Sequence, residues 1–258
     1  MRTIAVTNQK GGSGKTTTAV NLAAALAETG RKVLLIDLDP QASASSWLGV
    51  ADGGKGLFEL LVGNGNLVDL VHETAFAGVS LVPGSNWMVG VEKAMAGEVG
   101  AETVLRKAIQ SLPRNRWDII LLDCPPSLGL MVVSALVAAQ EVVVPVEAHV
   151  MALGGLANLL QTVERVKERL NPALAISTIL PCRVDVRKNL SKEIVERLRS
   201  RFGRLVPPTV IRENVRLAEA PSFEQPITAY SPESSGAVDY RAAAGELLKR
   251  GKERARAR

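Results

Sequence analysis

Aromatic residues are scarce in this chain: Phe, Trp and Tyr make up 3% of 258 residues, although 47% are hydrophobic. A core so short of aromatics has to be built from Ala, Val, Leu and Ile. That mix suits helices packed on a buried parallel sheet better than a β-sandwich. Trp47, Trp87 and Trp117 are expected as packing residues. Cysteine is nearly absent as well. Cys124 and Cys182 stand far apart, with no Cys-x-x-Cys and no nearby histidine pair, which argues against a disulfide framework or a structural zinc site. His72 and His149 have no ligand or triad companions nearby and receive no role. Long apolar runs are missing too. The most hydrophobic region, 128–146, is interrupted by Gln140 and Glu141, so no membrane-spanning helix is expected. The N-terminal apolar run meets Lys10 within ten residues, too early for a signal peptide, and a cytoplasmic location is expected.

Charge is present but unevenly placed. The formal net charge is +5. Residues 183–216 hold ten Lys and Arg against four acids, and residues 248–258 hold six against one, so the rest of the chain is acidic. A basic C-terminal third points to a polyanion-binding face, with a solvated helix surface and a frayed tail as the alternative.

Short β-rich runs alternate with helical segments. Strands are expected over 3–7, 33–37, 79–82, 119–123, 142–146 and 175–180. Helices are expected over 16–29, 103–112, 130–139, 153–169, 192–201 and 237–249. Continuous apolar strands separated by helices indicate a parallel sheet covered on both faces. No linker or repeat interrupts the pattern, so one α/β domain is expected.

The chemistry concentrates after the first strand. Lys10, Gly11, Gly12, Ser13, Gly14, Lys15, Thr16 and Thr17 lead from that strand into the first helix. A helix N-terminus offers N–H groups and a favourable dipole to an anion, and glycines let the backbone curl around phosphates. Lys15 would reach the β- and γ-phosphates, and the Thr16 hydroxyl would ligate Mg²⁺. Two more strands end in acids, 33–37 at Asp37 followed by Asp39, and 119–123 at Asp123. Strand ends of a parallel sheet gather at one edge, where carboxylates beside a phosphate loop can hold magnesium directly or through water.

The loop departs from the standard G-x-x-x-x-G-K-[ST] pattern, because Gln9 occupies the first glycine position and Lys10 adds a second lysine. With this deviant Walker A loop the chain resembles the ParA/MinD superfamily, and the resemblance covers nearly its whole length. It implies a single-domain P-loop NTPase fold, a mostly parallel twisted sheet with helices on both faces, over 1–248, followed by a basic tail, 249–258. It also implies that Lys10 reaches the nucleotide of a second subunit, that Asp39 positions the attacking water, and that Thr16, Asp37 and Asp123 serve the metal. Arg183, Arg212 and Asn214 would lie near the adenine. Ala42 and Ser43 stand where Gly-Asn is frequent in the family.

Among branches of the superfamily, the segment 214–222 looks like that of short ParA/Soj-type partition ATPases. The tail lacks the bulky apolar face of a membrane-binding helix, and Cys124 and Cys182 do not match the cluster cysteines of iron–sulfur relatives. The resemblance therefore implies a slow, Mg²⁺-dependent ATPase that dimerises with ATP and binds double-stranded DNA without sequence preference. Its partner would be a ParB-like centromere-binding protein, and its location the nucleoid. The DNA contacts expected are Arg187, Lys188, Lys192, Arg199, Arg201, Arg204 and Arg216, with the tail as auxiliary. Two other readings stand beside it: the same ATPase positioning a non-DNA cargo, and a metabolic ATP-dependent ligase built on the same loop.

Overall fold

Alternation with period two along the strands sorts the apolar residues into two cores, one on each face of a central sheet. The computed structural model describes residues 1–50, 52–149 and 152–256. In chain order its principal elements are β1 (Arg2–Val6), α1 (Lys15–Ala27), β2 (Val33–Asp37), α2 (Ser43–Trp47), α3 (Gly56–Leu61), β3 (His72–Glu73), β4 (Val79–Val82), α4 (Val91–Ala94), α5 (Val104–Gln110), β5 (Ile119–Asp123) and α6 (Leu130–Ala138). They continue with β6 (Glu141–Glu147), α7 (Ala152–Arg169), β7 (Ala175–Cys182), α8 (Asn189–Phe202), α9 (Val215–Glu219), α10 (Ile227–Tyr230) and α11 (Ser235–Arg256).

The strands form one sheet in the order β3-β4-β2-β5-β1-β6-β7, in which only β3 runs antiparallel to its neighbour. Ala5, Leu34, Ile36, Ile120, Leu122, Val142 and Val144 face the core beneath α5, α6, α7 and α8. Ile4, Val6, Val33, Leu35, Ile119, Leu121 and Val143 face the other, beneath α1 and α11. Each such Val or Leu contributes about 1.5–3 kcal/mol when removed from water, and β1, β2 and β5 are buried almost throughout. That is the continuous apolar signature of parallel strands covered on both sides.

β1 lies between β5 and β6, so the chain leaves it at the point where the strand order reverses. A crevice opens there at the strand C-terminal ends. The loop after β1, the ends of β2 and β5 and the end of β7 all reach this edge.

Several expected bounds differ from those observed. The expected helix 103–112 divides into a 3₁₀ turn, Ala101–Thr103, and α5. The last helix does not stop at Lys249 but runs on as α11 to Arg256. The basic tail is thus, as far as it is described, an extension of that helix. Arg250 donates to the carbonyls of Ser177 (2.6 Å) and Leu205 (3.3 Å), and Arg254 to that of Gln140 (3.3 Å). Ala257 and Arg258 lie outside the described residues. Trp47 and Trp117 are buried as expected, but Trp87 is 49% exposed, with the Lys55 ammonium 4.5 Å above its ring. Among the described residues no helix is long and apolar enough to cross a membrane.

Candidate nucleotide site

The loop from Gly11 to Gly14 bends through left-handed backbone at Gly12 (φ 72°) and Gly14 (φ 86°), where a Cβ would be strained. Gly14 is the N-cap of α1, so the first N–H groups of that helix open into the crevice. A cavity of about 570 Å³ occupies this place. One end is lined by Gly11, Gly12, Gly14, Lys15, Thr16, Thr17 and Asp39, the other by Arg183, Ile211, Arg212, Asn214, Val215 and Leu217. A cradle of backbone N–H and ammonium at one end and a mostly apolar wall at the other matches the two halves of a nucleoside triphosphate.

Lys15 lies in the cradle, its Nζ 3.3 Å from the Lys10 carbonyl oxygen. Burial lowers its pKa, against the pull of Asp123 and Asp39. Asp37 and Asp123 are register partners at the ends of β2 and β5. Both are fully buried, and burial raises both carboxyl groups above the ordinary range, reinforced at Asp123 by the charges of Asp37 and Asp39 and at Asp37 by that of Asp39. Their hydrogen bonding differs. Asp37 accepts from Ser45 N (2.9 Å), Ser45 Oγ (2.7 Å) and Asp39 N (3.2 Å). Both oxygens of Asp123 lack a well-formed hydrogen bond, although the Thr16 hydroxyl and the Lys15 ammonium lie alongside. A buried carboxylate left open in this way carries a large desolvation penalty. A hydrated Mg²⁺ fits that need, because magnesium favours oxygen ligands and keeps several waters. Thr16 and Asp123 suit the metal, whereas Asp37 spends both oxygens on its own loop. Through these hydrogen bonds Asp37 also anchors the segment 39–45.

The anchored segment contains Asp39, whose Oδ1 accepts from Gln41 N (3.0 Å). Ala42, standing where glycine is frequent in the family, adopts φ 49° and bears the strain that glycine would avoid. Ser45 links the segment onward, its Oγ accepting from Gly84 N (2.9 Å).

Lys10 lies outside the cradle, on the rim. Its Nζ pairs with Glu147 Oε2 at 2.6 Å, and Arg183 reaches Oε1 of the same carboxylate at 3.2 Å. The hydrogen bond from Lys10 holds the Glu147 carboxyl below its ordinary pKa. Arg183 itself sits at φ 52°, left-handed for a residue with a side chain. Within the chain, Lys10 is therefore engaged in cis.

At the base end, Ile211–Glu213 extends the sheet edge through the bridge Val184↔Arg212. Asp239 and Ser235 on α11 hold Arg212 and Asn214 respectively. The Tyr240 hydroxyl lies 3.3 Å from Thr18 Oγ1 on α1. Glu147, Ser45, Ser235 and Asp239 were not singled out from the sequence. For Glu147 a signal existed, since it ends an apolar strand just as Asp37 and Asp123 do. The others have no local signature.

The residues expected to touch DNA do not form one uniform surface. Arg187 and Lys188 pair with Asp185 (3.0 and 3.4 Å), Arg199 with Glu196 (2.9 Å) and Arg216 with Glu219 (2.9 Å). Lys192, Arg201 and Arg204 are exposed and have no ion-pair partner among the described residues.

A deviant phosphate loop at the switch point of a parallel sheet, with paired acids at the neighbouring strand ends, defines a P-loop NTPase. Comparison with known proteins narrows the class. A family model described as an AAA domain matches residues 1–176. The chain is 42% identical over 250 residues to the sporulation initiation inhibitor protein Soj of Bacillus subtilis, covering 96% of this chain and 98% of that one. It is 47% identical over 250 residues to the chromosome-partitioning ATPase Soj of Thermus thermophilus, covering 97% and 96%. Among solved structures, cobyrinic acid a,c-diamide synthase from Mycobacterium smegmatis with bound ADP and magnesium superposes with a TM-score of 0.86 at 32% identity, covering 98% and 96%. The chain belongs to the ParA/Soj family of P-loop ATPases.

Proposed function

We propose that this ATPase is a dimerising switch: ATP closes two copies into a dimer, the dimer binds double-stranded DNA without sequence preference, and hydrolysis releases it. Partitioning of chromosome or plasmid DNA on the nucleoid is the function, with a ParB-like partner stimulating hydrolysis. The observation that carries this reading is the division of labour between two lysines. Lys15 is committed inside the cradle, while Lys10 stands on the rim, where a second nucleotide-bearing surface can meet it.

In hydrolysis, backbone N–H groups of 11–16 and the Lys15 ammonium hold the β- and γ-phosphates, and positioning with charge stabilisation supplies most of the catalysis. Asp39, hung from the Asp37–Ser45 anchor, orients a water for in-line attack on the γ-phosphorus and accepts its hydrogen bond. The bond to the β–γ bridging oxygen breaks, leaving ADP and phosphate. Thr16 and Asp123 would hold the Mg²⁺, which would supply neutralisation of phosphate charge. Lys10 from a second copy would add positive charge as negative charge moves to the leaving oxygen.

DNA contact is assigned to α8 and its C-terminal turn. Lys192, Arg201 and Arg204 lead, and the paired cations Arg187, Lys188, Arg199 and Arg216 support them. Scarce aromatics favour phosphate contacts on duplex DNA over base stacking.

The likeness to a named cobyrinic acid amidating enzyme favours a second reading, a metabolic ligase using the same cleft. One experiment separates the two: retention on duplex DNA with ATP, with ADP and without nucleotide, for the wild-type chain and Lys10→Ala. The switch requires retention with ATP only, and its loss in Lys10→Ala. Absence of ATP-dependent retention removes the support for a DNA-partitioning switch and leaves the ligase or a non-DNA cargo.

A further inference from the structure

Arg212 lines the base end of the cleft and, among the described residues, is the cation with the most hydrogen bonds to a single carboxylate. Its backbone N donates to Asp239 Oδ2 at 2.9 Å. Its Nε lies 3.1 and 3.0 Å from Oδ1 and Oδ2, and its Nη2 lies 2.7 Å from Oδ1. The Asp239 side chain is 9% exposed, that of Arg212 39%. The carboxylate is thus much more buried than the guanidinium, and Arg212 is among the residues that line the cleft. Nη1 has no partner among the described residues. One turn earlier on α11, Ser235 Oγ accepts from Asn214 Nδ2 at 2.7 Å. One residue later, Tyr240 meets Thr18 of the phosphate-loop helix.

A bidentate fork fixes the plane of a guanidinium, and a fixed plane is what stacking on a purine or donation to a ring nitrogen needs. A free arginine would have to give up side-chain freedom before it could do either. We propose that Asp239 is a positioning residue for the nucleobase: through Arg212 it preorganises the base half of the cleft, so that the first turns of α11 determine how tightly the purine is held. The proposal rests on the nucleotide reading of the cavity and adds to it a residue on a distant helix that touches no part of the ligand.

The test separates base from phosphates by comparing two probes, Mg-ATP and Mg-tripolyphosphate, in calorimetric titrations. For Asp239→Asn the ATP Kd is expected to rise about tenfold, as for loss of a charge-assisted, bidentate contact. The tripolyphosphate Kd is expected to stay within about twofold, because the cradle lies at the other end of the cleft. In an Arg212→Ala background, Asp239→Asn is expected to add nothing further to the ATP Kd, since its effect passes through the missing guanidinium. A parallel loss for both probes, an unchanged ATP Kd, or additive effects in the double variant would each overturn the assignment. A wild-type chain that binds neither probe instead overturns the nucleotide reading, and the proposal with it. Should Asp239→Asn not fold, Arg212→Lys carries the same comparison. It keeps a charge for Asp239 but not the planar fork, and equal losses for both probes would again exclude the proposal.

Discussion

Lys10 Nζ and Glu147 Oε2 lie 2.6 Å apart, joining the rim of the phosphate loop to the end of β6 within one chain. Arg183 shares the same carboxylate at 3.2 Å. Before Lys10 can serve a second subunit this pair has to open. Ion pairs this exposed are worth up to about 1 kcal/mol, a factor of about five in an equilibrium. Glu147→Gln is therefore expected to lower the ATP concentration for half-maximal dimerisation about threefold to fivefold, read by light scattering coupled to gel filtration. An unchanged or raised midpoint would show that Glu147 does not restrain Lys10.

Asp39→Ala is expected to retain ATP with near wild-type affinity, because the cradle is untouched. Its single-turnover hydrolysis should fall at least about 100-fold, the usual scale for loss of a positioned acid–base group. Hydrolysis at the wild-type rate would remove Asp39 from the water-orienting role.

The Asp37–Asp123 pair predicts a pH-dependent stability difference. Both folded-state pKa values are raised, so the folded metal-free chain binds protons more tightly than the unfolded one. That stabilising contribution is present at acid pH, below the unfolded value near 4, and is lost as pH rises through the raised folded values. Asp123→Asn abolishes the repulsion and is expected to stabilise the metal-free protein by about 1–2 kcal/mol at pH 8, with a smaller gain at pH 5. Urea denaturation at the two pH values measures it. A gain that is larger at pH 5 would contradict the assignment. The same variant should lose Mg²⁺-dependent hydrolysis.

Exposed cations without acidic partners should dominate any DNA contact. Replacing Lys192, Arg201 and Arg204 together by Ala is expected to reduce the slope of log affinity against log salt by about 0.9 for each phosphate no longer neutralised. Arg187→Ala and Arg199→Ala should each change it less, since Asp185 and Glu196 already neutralise those residues. Filter binding in the presence of ATP across a salt series provides the slopes. Equal effects from the two groups would mean that the ion pairs do not limit DNA binding.

Arg250 behaves as a structural residue in spite of its place in a basic segment. Arg250→Ala leaves the carbonyls of Ser177 and Leu205 without their donor and is expected to cost about 1–3 kcal/mol in chemical denaturation. Lys249→Ala, on the exposed side of α11, should stay within about 0.5 kcal/mol.

Much of this molecule is legible locally. The strand ends at Asp37 and Asp123 coincide with the expected ones, because an apolar run bounded by an acid marks where a buried parallel strand reaches solvent. The loop 10–17 announces itself through glycine, lysine and threonine at the mouth of a helix. Other features are not local. The antiparallel β3 is two residues long, its strand character arising only from pairing with β4. The run of basic residues in 248–258 looks the same whether solvated or docked; only the folded chain brings the carbonyls of Ser177, Leu205 and Gln140 within reach of Arg250 and Arg254.

Local chain chemistry was enough to specify a doubly covered parallel sheet and a phosphate loop with two lysines and two strand-end acids, because hydrophobic period and backbone preferences act over a few residues. Which acid remains open and which cation is free emerged only once the chain was folded. Asp37 is closed by Ser45, eight residues away, Lys10 by Glu147, and Arg212 by Asp239 on the last helix. The physical reason is that a charged group's role depends on which other charges and donors share its low-dielectric surroundings, and chain proximity does not set those neighbours.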